Sequence, residues 1–405
     1  MALDTPFIRL LRCKIIYLNY QLLDIHAGEP MTDILKPYLN EPVRFAYWVS
    51  NLSGGQVISK VEQRTGWDFD YNVKLARAAE KAGFEFALSA TRFAGGYRAD
   101  GQHEASAFAM SLLNATERLN VIVAIMTGFW HPAVVAKLGA TADHISKGRW
   151  HVNIVSGWFK QEFDALGVPW LEHDERYRRS TEFIKVLKGT WTQDDFSFHG
   201  DYYNIDNWQL SPKPTFKPHP LIFQGGSSTA ARRMAAENSD WYFTNGGSIE
   251  ELNAQAVQVK QGAAGFGRQL RVGANAFIIA RDTEAEAHEV HAEILAKADP
   301  AAVAGFAASV KQAGQSAKDG VGNWAKSTSA DLVQPNDGFK TNLIGTPEQV
   351  ARRIVELKRA GIDLVLAGFL HFHEEVEYFG RRVYPLVREL EAEAARRAPE
   401  ASLAG

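Results

Sequence analysis

From residue 43 onward, short runs rich in β-branched and aromatic residues alternate with stretches of helical periodicity. This alternation is typical of repeated βα units that build a parallel sheet. The apolar runs predict eight strands, at Val43–Val49, Phe84–Ser89, Leu119–Ile125, Arg149–Val155, Leu221–Gln224, Asp240–Thr244, Arg271–Ile279 and Leu364–Ala367. The helical periodicity predicts seven helices, at Tyr71–Ala82, Glu104–Ala115, Pro132–Ser146, Glu175–Leu187, Thr229–Glu237, Ile249–Ala264 and Pro347–Ala360.

Eight alternations that return to a final strand favour an α/β fold of the closed (β/α)₈ TIM-barrel type, with insertions. Gly83 and Gly361 each follow a predicted helix and precede a strand, where a left-handed residue commonly ends a helix. A six-stranded open sheet with an appended helical lobe is the alternative.

We expect a single barrel domain at residues 42–391, with an N-terminal extension at 1–41 and a C-terminal tail at 392–405. Two connections, 190–219 and 282–342, are longer than ordinary loops and therefore suggest function. Within the second, Lys318–Thr341 is polar and contains several glycines. That composition predicts a weakly ordered lid that closes over ligands.

Composition points to small-molecule chemistry. The 405 residues carry a formal net charge of −3, which gives no basic footprint for nucleic acid or an anionic membrane. Charged and polar residues interrupt the apolar stretch Phe7–Ile25, so it is too broken to span a bilayer. Cys13 is the only cysteine, which excludes a disulfide framework and favours a reducing cytoplasm.

Barrel enzymes carry their reactive residues at the carboxyl ends of the strands. Four predicted strands are followed here by polar, glycine or aromatic residues: Thr91-Arg92, Gly128-Phe129-Trp130-His131-Pro132, Ser156-Gly157-Trp158 and Gly225-Gly226-Ser227-Ser228. The last segment is an ordinary glycine turn with a serine helix cap. It is equally a phosphate seat, because free amides at a helix N-terminus beside a hydroxyl bind anions.

An ordered set of motifs resembles the bacterial luciferase-like flavin monooxygenases. The set is Asn153 to Trp158, Glu162, Arg176-Tyr177 and the Gly225 to Ser228 turn. Agreement with the members that oxidise dimethylsulfone is suggested by Tyr47-Trp48-Val49-Ser50-Asn51-Leu52-Ser53-Gly54-Gly55 and by Gly128 to Pro132. The resemblance implies oxidation of a small organosulfur compound by reduced FMN and O₂, for dimethylsulfone giving methanesulfinate and formaldehyde.

The same resemblance implies a set of flavin-binding residues and partners. The cofactor residues would be Thr91, Arg92, Asn153, Ser156, Glu162, Arg176, Tyr177, Ser227 and Ser228. No Gly-x-Gly-x-x-Gly fingerprint for tight NAD binding occurs, so a separate NAD(P)H-dependent flavin reductase is expected to supply reduced FMN. We further expect a homo-oligomer, either a dimer or a tetramer.

Three residues are candidates for a catalytic role: His131, Trp130 and Asn275. His131 precedes a proline at a helix start, so it is either a cap or, with a pKa near neutrality, a proton-transfer group. Asn275 and Phe277 stand where alkanesulfonate monooxygenases carry Arg and His, and the loss of that cation favours a neutral substrate. One amide of Asn275 is expected to meet a sulfone oxygen.

No metal is expected, since His371 and His373 have the spacing of a metal pair but no supporting third ligand. Other functions stay open. An alkanesulfonate monooxygenase and a deazaflavin-dependent hydride-transfer oxidoreductase share this barrel class. A pyrimidine-type oxygenase and a flavin-storage or sensor protein without turnover are further alternatives.

Overall fold

The computed structural model describes residues 33–97, 99–315, 324 and 327–401. Its centre is a closed barrel of eight parallel strands, in the order β1-β12-β9-β8-β7-β4-β3-β2. These strands are β1 Arg44–Trp48, β2 Phe86–Ser89, β3 Asn120–Met126, β4 Trp150–Val155, β7 Ile222–Gly225, β8 Trp241–Thr244, β9 Arg271–Phe277 and β12 Leu364–Gly368. The predicted TIM barrel is therefore confirmed, and the six-stranded open sheet is wrong.

Helices alternate with the barrel strands. They are α1 Lys36–Leu39, α2 Phe69–Lys81, α3 Ala105–Ala115, α4 Pro132–Ser146, α5 Lys160–Ala165, α6 His173–Thr192, α7 Thr229–Asn238, α8 Ile249–Gly265, α9 Glu284–Ala296, α10 Pro300–Gln315, α11 Pro347–Arg359, α12 Phe372–Tyr378 and α13 Tyr384–Ala401. Short 3₁₀ turns lie at Asp33–Leu35, Asp331–Val333 and Gly338–Thr341, and a π-helical turn lies at Phe379–Val383. None of the helices within the described ranges is long and apolar enough to cross a bilayer.

Local sequence explains where helix α11 starts and stops. Thr346 and Gln349 form a reciprocal capping box at its start, with Pro347 at the first helical position. Gly361 follows its last turn at φ +94°, and Gly83 follows α2 at φ +95°. Both predicted left-handed helix ends are thus present.

The core is split by the barrel wall into two layers. Strand side chains such as Phe86, Phe223 and Trp241 form one apolar cluster, with Phe223 and Trp241 stacked at 5.5 Å. Alternate side chains such as Phe45 and Tyr47 belong to the larger cluster shared with the helices. Tyr47 contacts Phe84 and Phe372 there, so its side chain faces the helices and not the mouth of the barrel.

Two strand pairs outside the barrel were not predicted from the sequence. Residues 190–219 include an antiparallel hairpin of β5 Phe196–His199 and β6 Asn204–Trp208. The predicted seventh strand is interrupted at Ile278, and Ile279–Ala280 (β10) pairs instead with Ile344–Gly345 (β11). This small parallel pair anchors the 282–342 insertion beside the barrel rim.

Part of the expected lid is packed. Lys318–Asn323 and Ala325–Lys326 lie outside the described residues, whereas residues 327–341 form two 3₁₀ turns. Leu332, Val333 and Phe339 are buried in that stretch, and Phe339 packs edge-on against Phe277 at 5.1 Å. Residues 327–341 are therefore packed against the barrel, because burial of these three apolar side chains offsets the entropy lost when the segment is ordered.

The expected domain boundaries shift at both ends of the chain. Residues 1–32 and 402–405 lie outside the described residues. Leu35 and Tyr38 are buried, and the Tyr38 hydroxyl accepts a hydrogen bond from the Leu270 amide, so residues 33–41 belong to the barrel. Helix α13 runs without a break through the boundary expected after residue 391.

A buried ion cluster lies at the barrel end where the strands begin. Asp363, which immediately precedes β12, accepts hydrogen bonds from Lys260 Nζ at 2.7 Å and Lys358 Nζ at 3.0 Å. All three side chains are almost fully buried. Burial lowers the pKa of Lys260 to about 8, so the carboxylate is needed to keep that ammonium charged inside the protein.

We expect Asp363→Asn to destabilise the fold by about 3–5 kcal/mol, because it leaves two buried ammonium groups without a carboxylate. Urea unfolding followed by circular dichroism measures this loss. Asp33→Asn is the matched control, since the Asp33–Lys36 pair is exposed to solvent and its loss should leave the unfolding midpoint unchanged. Equal midpoints for both variants would contradict the role given to the cluster.

Candidate active site

Two adjoining cavities open where the barrel strands end. The first, called the β4 cavity, is bounded by Asn153, Ser156, Tyr177, Gly226 and Asn245, among others. The second, called the β2 cavity, is bounded by Leu52, Gln56, Thr91, Arg92, Tyr97 and Phe306, among others. Both share Trp48, Trp158, Trp324 and Asn336 in their walls, so the two spaces are neighbours across a mainly aromatic partition.

The turn after β7 begins at the wall of the β4 cavity, which Gly226 borders. Gly226 adopts φ +128°, and a side chain there would bring Cβ within 2.6 Å of the Tyr177 hydroxyl. Ser228 caps α7 by accepting a hydrogen bond from the Ala231 amide at 3.2 Å. The buried Ser227 Oγ has no hydrogen-bond partner in the part of the chain that the structure describes. A helix N-terminus beside an unused hydroxyl is suited to a phosphate group.

Polar atoms of β4 face the same cavity. Asn153 Oδ1 is buried and has no partner among the described residues. The Ser156 hydroxyl lies 2.8 Å from that of Ser180, which itself donates to the Arg176 carbonyl at 2.9 Å. The Ser180 hydroxyl also lies 2.9 Å from that of Thr127, so the three hydroxyls form one hydrogen-bonded group. Ser156 keeps acceptor capacity for a ligand in the cavity.

Arg176 lies behind the cavity wall. Its side chain is almost fully buried, its guanidinium stacks on Trp170 at 3.8 Å, and its Cδ lies 3.7 Å from the position that a Cβ would take at Gly157. Burial lowers the pKa of Arg176 to about 10, so it remains a cation at neutral pH. Arg176 is not among the described residues that border either cavity.

Glu162 also does not border the β4 cavity. Its Oε1 accepts hydrogen bonds from Arg92 Nε at 2.9 Å, Phe93 N at 2.9 Å and Ala94 N at 3.2 Å. The carboxylate is completely buried. It therefore fixes the segment after β2, including Arg92, rather than meeting a ligand in the β4 cavity.

Both amide atoms of Asn275 are hydrogen-bonded within the protein. Its Oδ1 accepts from the Trp48 indole at 2.7 Å, and its Nδ2 donates to Gln334 Oε1 at 3.3 Å and to the Asn336 carbonyl at 3.1 Å. The Asn275 carbonyl accepts from the Thr341 hydroxyl as well. Asn275 therefore ties residues 334–341 to the barrel, and it also borders the β4 cavity.

His131 and Trp130 lie away from both cavities. His131 is exposed, and its Nδ1 caps α4 by accepting from the Ala133 amide at 3.3 Å. Its ring packs edge-on against Tyr203 at 5.7 Å, while Trp130 packs against the outer helical core. The local cap thus uses His131, and the structure does not bring these two expected catalytic residues to the candidate site.

His371 is used in a backbone contact, since its Nδ1 accepts from the Arg64 amide at 3.1 Å. Within the ranges described, no group of three or more His, Cys, Asp or Glu side chains is arranged to hold a metal ion. Cavity residues that sequence reasoning missed include Asn245, Trp324 and Asn336. Asn336 and Trp324 come from the insertion, whose approach to the rim no local pattern reports. Asn245 directly follows β8, so its position was the one available signal.

Comparison with known proteins agrees with this architecture. A model of the family described as luciferase-like monooxygenase matches residues 43–364. The chain belongs to that family. An FMNH₂-dependent dimethylsulfone monooxygenase from Pseudomonas putida is 63% identical over 355 residues, which cover 88% of this chain and 98% of the relative. A protein of the same name from Pseudomonas fluorescens strain Pf0-1 is 61% identical over 87% of this chain and 97% of its own.

A solved structure shows the fold of this luciferase-like monooxygenase at greater distance. A riboflavin lyase, crystallised with modified FMN and riboflavin, is 23% identical and superposes with a TM-score of 0.74. The match covers 86% of this chain and 92% of the lyase chain. At this identity the likeness concerns the barrel alone.

We expect Asn275→Ala to loosen the rim segment of this luciferase-like monooxygenase, because two side-chain hydrogen bonds to residues 334 and 336 are lost. Each contributes about 1 kcal/mol, so the loss of both should make amides of peptides covering 332–341 exchange with deuterium roughly thirtyfold faster. Asn253→Ala is the control. Among the described residues, the Asn253 side chain donates to the Ala360 carbonyl, which is not part of the 332–341 segment. Unchanged exchange at 332–341 would contradict the tie.

Proposed function

We propose that this luciferase-like monooxygenase oxidises dimethylsulfone with reduced FMN and O₂. Dimethylsulfone, O₂ and FMNH₂ give methanesulfinic acid, formaldehyde, FMN and water, which balances all atoms and the two electrons. The observation that carries the proposal is near full-length identity of 63% to a relative named for this activity. The geometry of the two cavities supports it.

The residues that border the β4 cavity, together with the two serines that follow Gly226, fit FMN. Ser227, Ser228 and Tyr177 would hold the phosphate, and the free oxygens of Asn153 and Ser156 suit the polar edge of a flavin. Thr91 borders the neighbouring β2 cavity and would approach the ring from that side. When bound, reduced FMN supplies the electrons that activate oxygen.

The β2 cavity suits the organosulfur substrate. Its volume is about 160 Å³, close to the roughly 150 Å³ of a cavity that accepts benzene. Trp48, Trp158 and Trp324 separate it from the β4 cavity and exclude water, which an oxygen-activating site requires. Most of the described residues that line it are apolar or aromatic, in keeping with a small neutral sulfone.

The proposal includes partners and location. A separate NAD(P)H-dependent flavin reductase supplies reduced FMN, which favours the cytoplasm, where the reduced nicotinamide is made.

A homo-oligomer, dimer or tetramer, is supported by an apolar surface groove between α3 and α4. Val134 and Ile145 are each more than half exposed in that groove, and Trp208 lines it as well. A second copy of the chain would cover it.

We expect the enzyme, given FMN and a flavin reductase, to consume O₂ and form formaldehyde and methanesulfinate from dimethylsulfone. Turnover of methanesulfonate and longer alkanesulfonates should be at least about tenfold lower, because an anion would enter a site with no uncompensated cation. Formaldehyde, sulfite and sulfinate are measured with hydrogen peroxide removed. Equal turnover of an alkanesulfonate would favour an alkanesulfonate monooxygenase. Hydride transfer with a deazaflavin and no O₂ uptake would overturn the proposal.

A further inference from the structure

We propose that the Arg92–Glu162 pair determines the charge of the ligand that the β2 cavity accepts. Arg92 would donate to a substrate oxygen, while Glu162 cancels its charge, so that a neutral oxygen-bearing molecule is favoured over an anion. This inference rests on the proposed function, because it assigns the β2 cavity to the substrate.

Arg92 has one donor group left for a ligand. Its Nε donates to Glu162 Oε1 at 2.9 Å, and its Nη2 donates to the Ala94 carbonyl at 3.2 Å. Nη1 makes no hydrogen bond to any described residue, and the side chain, which is 10% exposed, lines the β2 cavity. The guanidinium lies 4.6 Å from the Phe159 ring centroid and 5.3 Å from that of Trp158. These aromatic contacts hold its plane while Nη1 remains available.

Glu162 is held too firmly to release that cation. Two backbone amides, those of Phe93 and Ala94, bind the same Oε1 that Arg92 binds. The carboxylate has no exposed surface, so solvent screens the pair weakly. The ion pair is therefore a fixed feature of the cavity wall with a net charge of zero.

Arg92 is the one charged side chain among the described residues that line the β2 cavity. A sulfone oxygen can accept from Nη1 without any change of charge. A sulfonate would bring a full negative charge beside a buried carboxylate, without an uncompensated cation to offset its loss of hydration. The product, methanesulfinate, is also an anion, so the same pair would weaken its retention.

Glu162→Gln tests the pair while keeping its shape, because the amide oxygen can still accept from Arg92 Nε and the two backbone amides. Full-length protein with oxidised FMN, which prevents turnover, is titrated calorimetrically with methanesulfonate and with dimethylsulfone. We expect the dissociation constant of methanesulfonate to fall at least tenfold, roughly the effect of one close charge in a poorly solvated site. The constant for dimethylsulfone should change less than about threefold.

Glu80→Gln is the matched control. Like Glu162, Glu80 accepts three hydrogen bonds through one oxygen, all from backbone amides, and it lies near an arginine, Arg118, but it does not line either cavity. It should leave both dissociation constants unchanged. The FMN affinity of each variant is measured by flavin fluorescence, so that loss of the cofactor is recognised separately.

A second variant, Arg92→Met with Glu162→Gln, removes both charges and the free donor. The gain in methanesulfonate affinity should disappear, and dimethylsulfone should bind at least about fivefold more weakly, since its hydrogen bond is lost. Unchanged methanesulfonate affinity in folded, FMN-binding Glu162→Gln would overturn the proposal. So would unchanged dimethylsulfone affinity in the double variant, which still decides the matter if the single variant fails to fold. Absence of dimethylsulfone turnover by the wild type concerns the proposed function, because these titrations involve no turnover.

Discussion

Closure of eight parallel strands into one barrel is the constraint on which the rest of the structure depends. It brings the carboxyl end of every strand to one rim, so that residues distant in sequence meet there. Asn153 on β4 and Gly226 just after β7 border one cavity, Thr91 borders the next, and Trp48 borders both. The opposite end carries the Lys260–Asp363–Lys358 cluster. Stability and chemistry are thus assigned to separate ends of the barrel.

The rim is completed from outside the barrel by the 282–342 insertion. Asn275 on β9 joins the Trp48 indole on one side to Gln334 and Asn336 on the other. Asn245 donates to Asp337 at 3.2 Å and adds a second tie to the same segment. A single amide side chain therefore fixes both an aromatic wall residue and the segment that covers it. The segment thereby covers part of the rim, and Asn336 borders both cavities.

Sequence patterns predicted the parts of this arrangement that are decided locally. All eight barrel strands and seven of the helices were predicted, because buried β-rich runs and capped amphipathic helices carry their own signals. Polar residues that follow strands, such as Thr91 and Ser156, were found for the same reason. The partners of Glu162 and Asn275 were not, since Glu162 meets Arg92 across 70 residues and Asn275 meets Gln334 across 59. For His131 the sequence did not distinguish a cap from a proton-transfer group, and the structure shows the cap.

The central claim is that the turn after β7 seats the phosphate of FMN. It is tested most directly by the dissociation constant of FMN for Ser227→Ala, with Ser228→Ala alongside. Because Ser227 Oγ has no partner among the described residues, its removal should leave thermal stability unchanged. FMN should nevertheless bind at least about tenfold more weakly, as expected for a hydrogen bond to a charged group. Ser228→Ala should also lower stability, because it removes a helix cap. Wild-type FMN affinity in Ser227→Ala would contradict the placement of the phosphate.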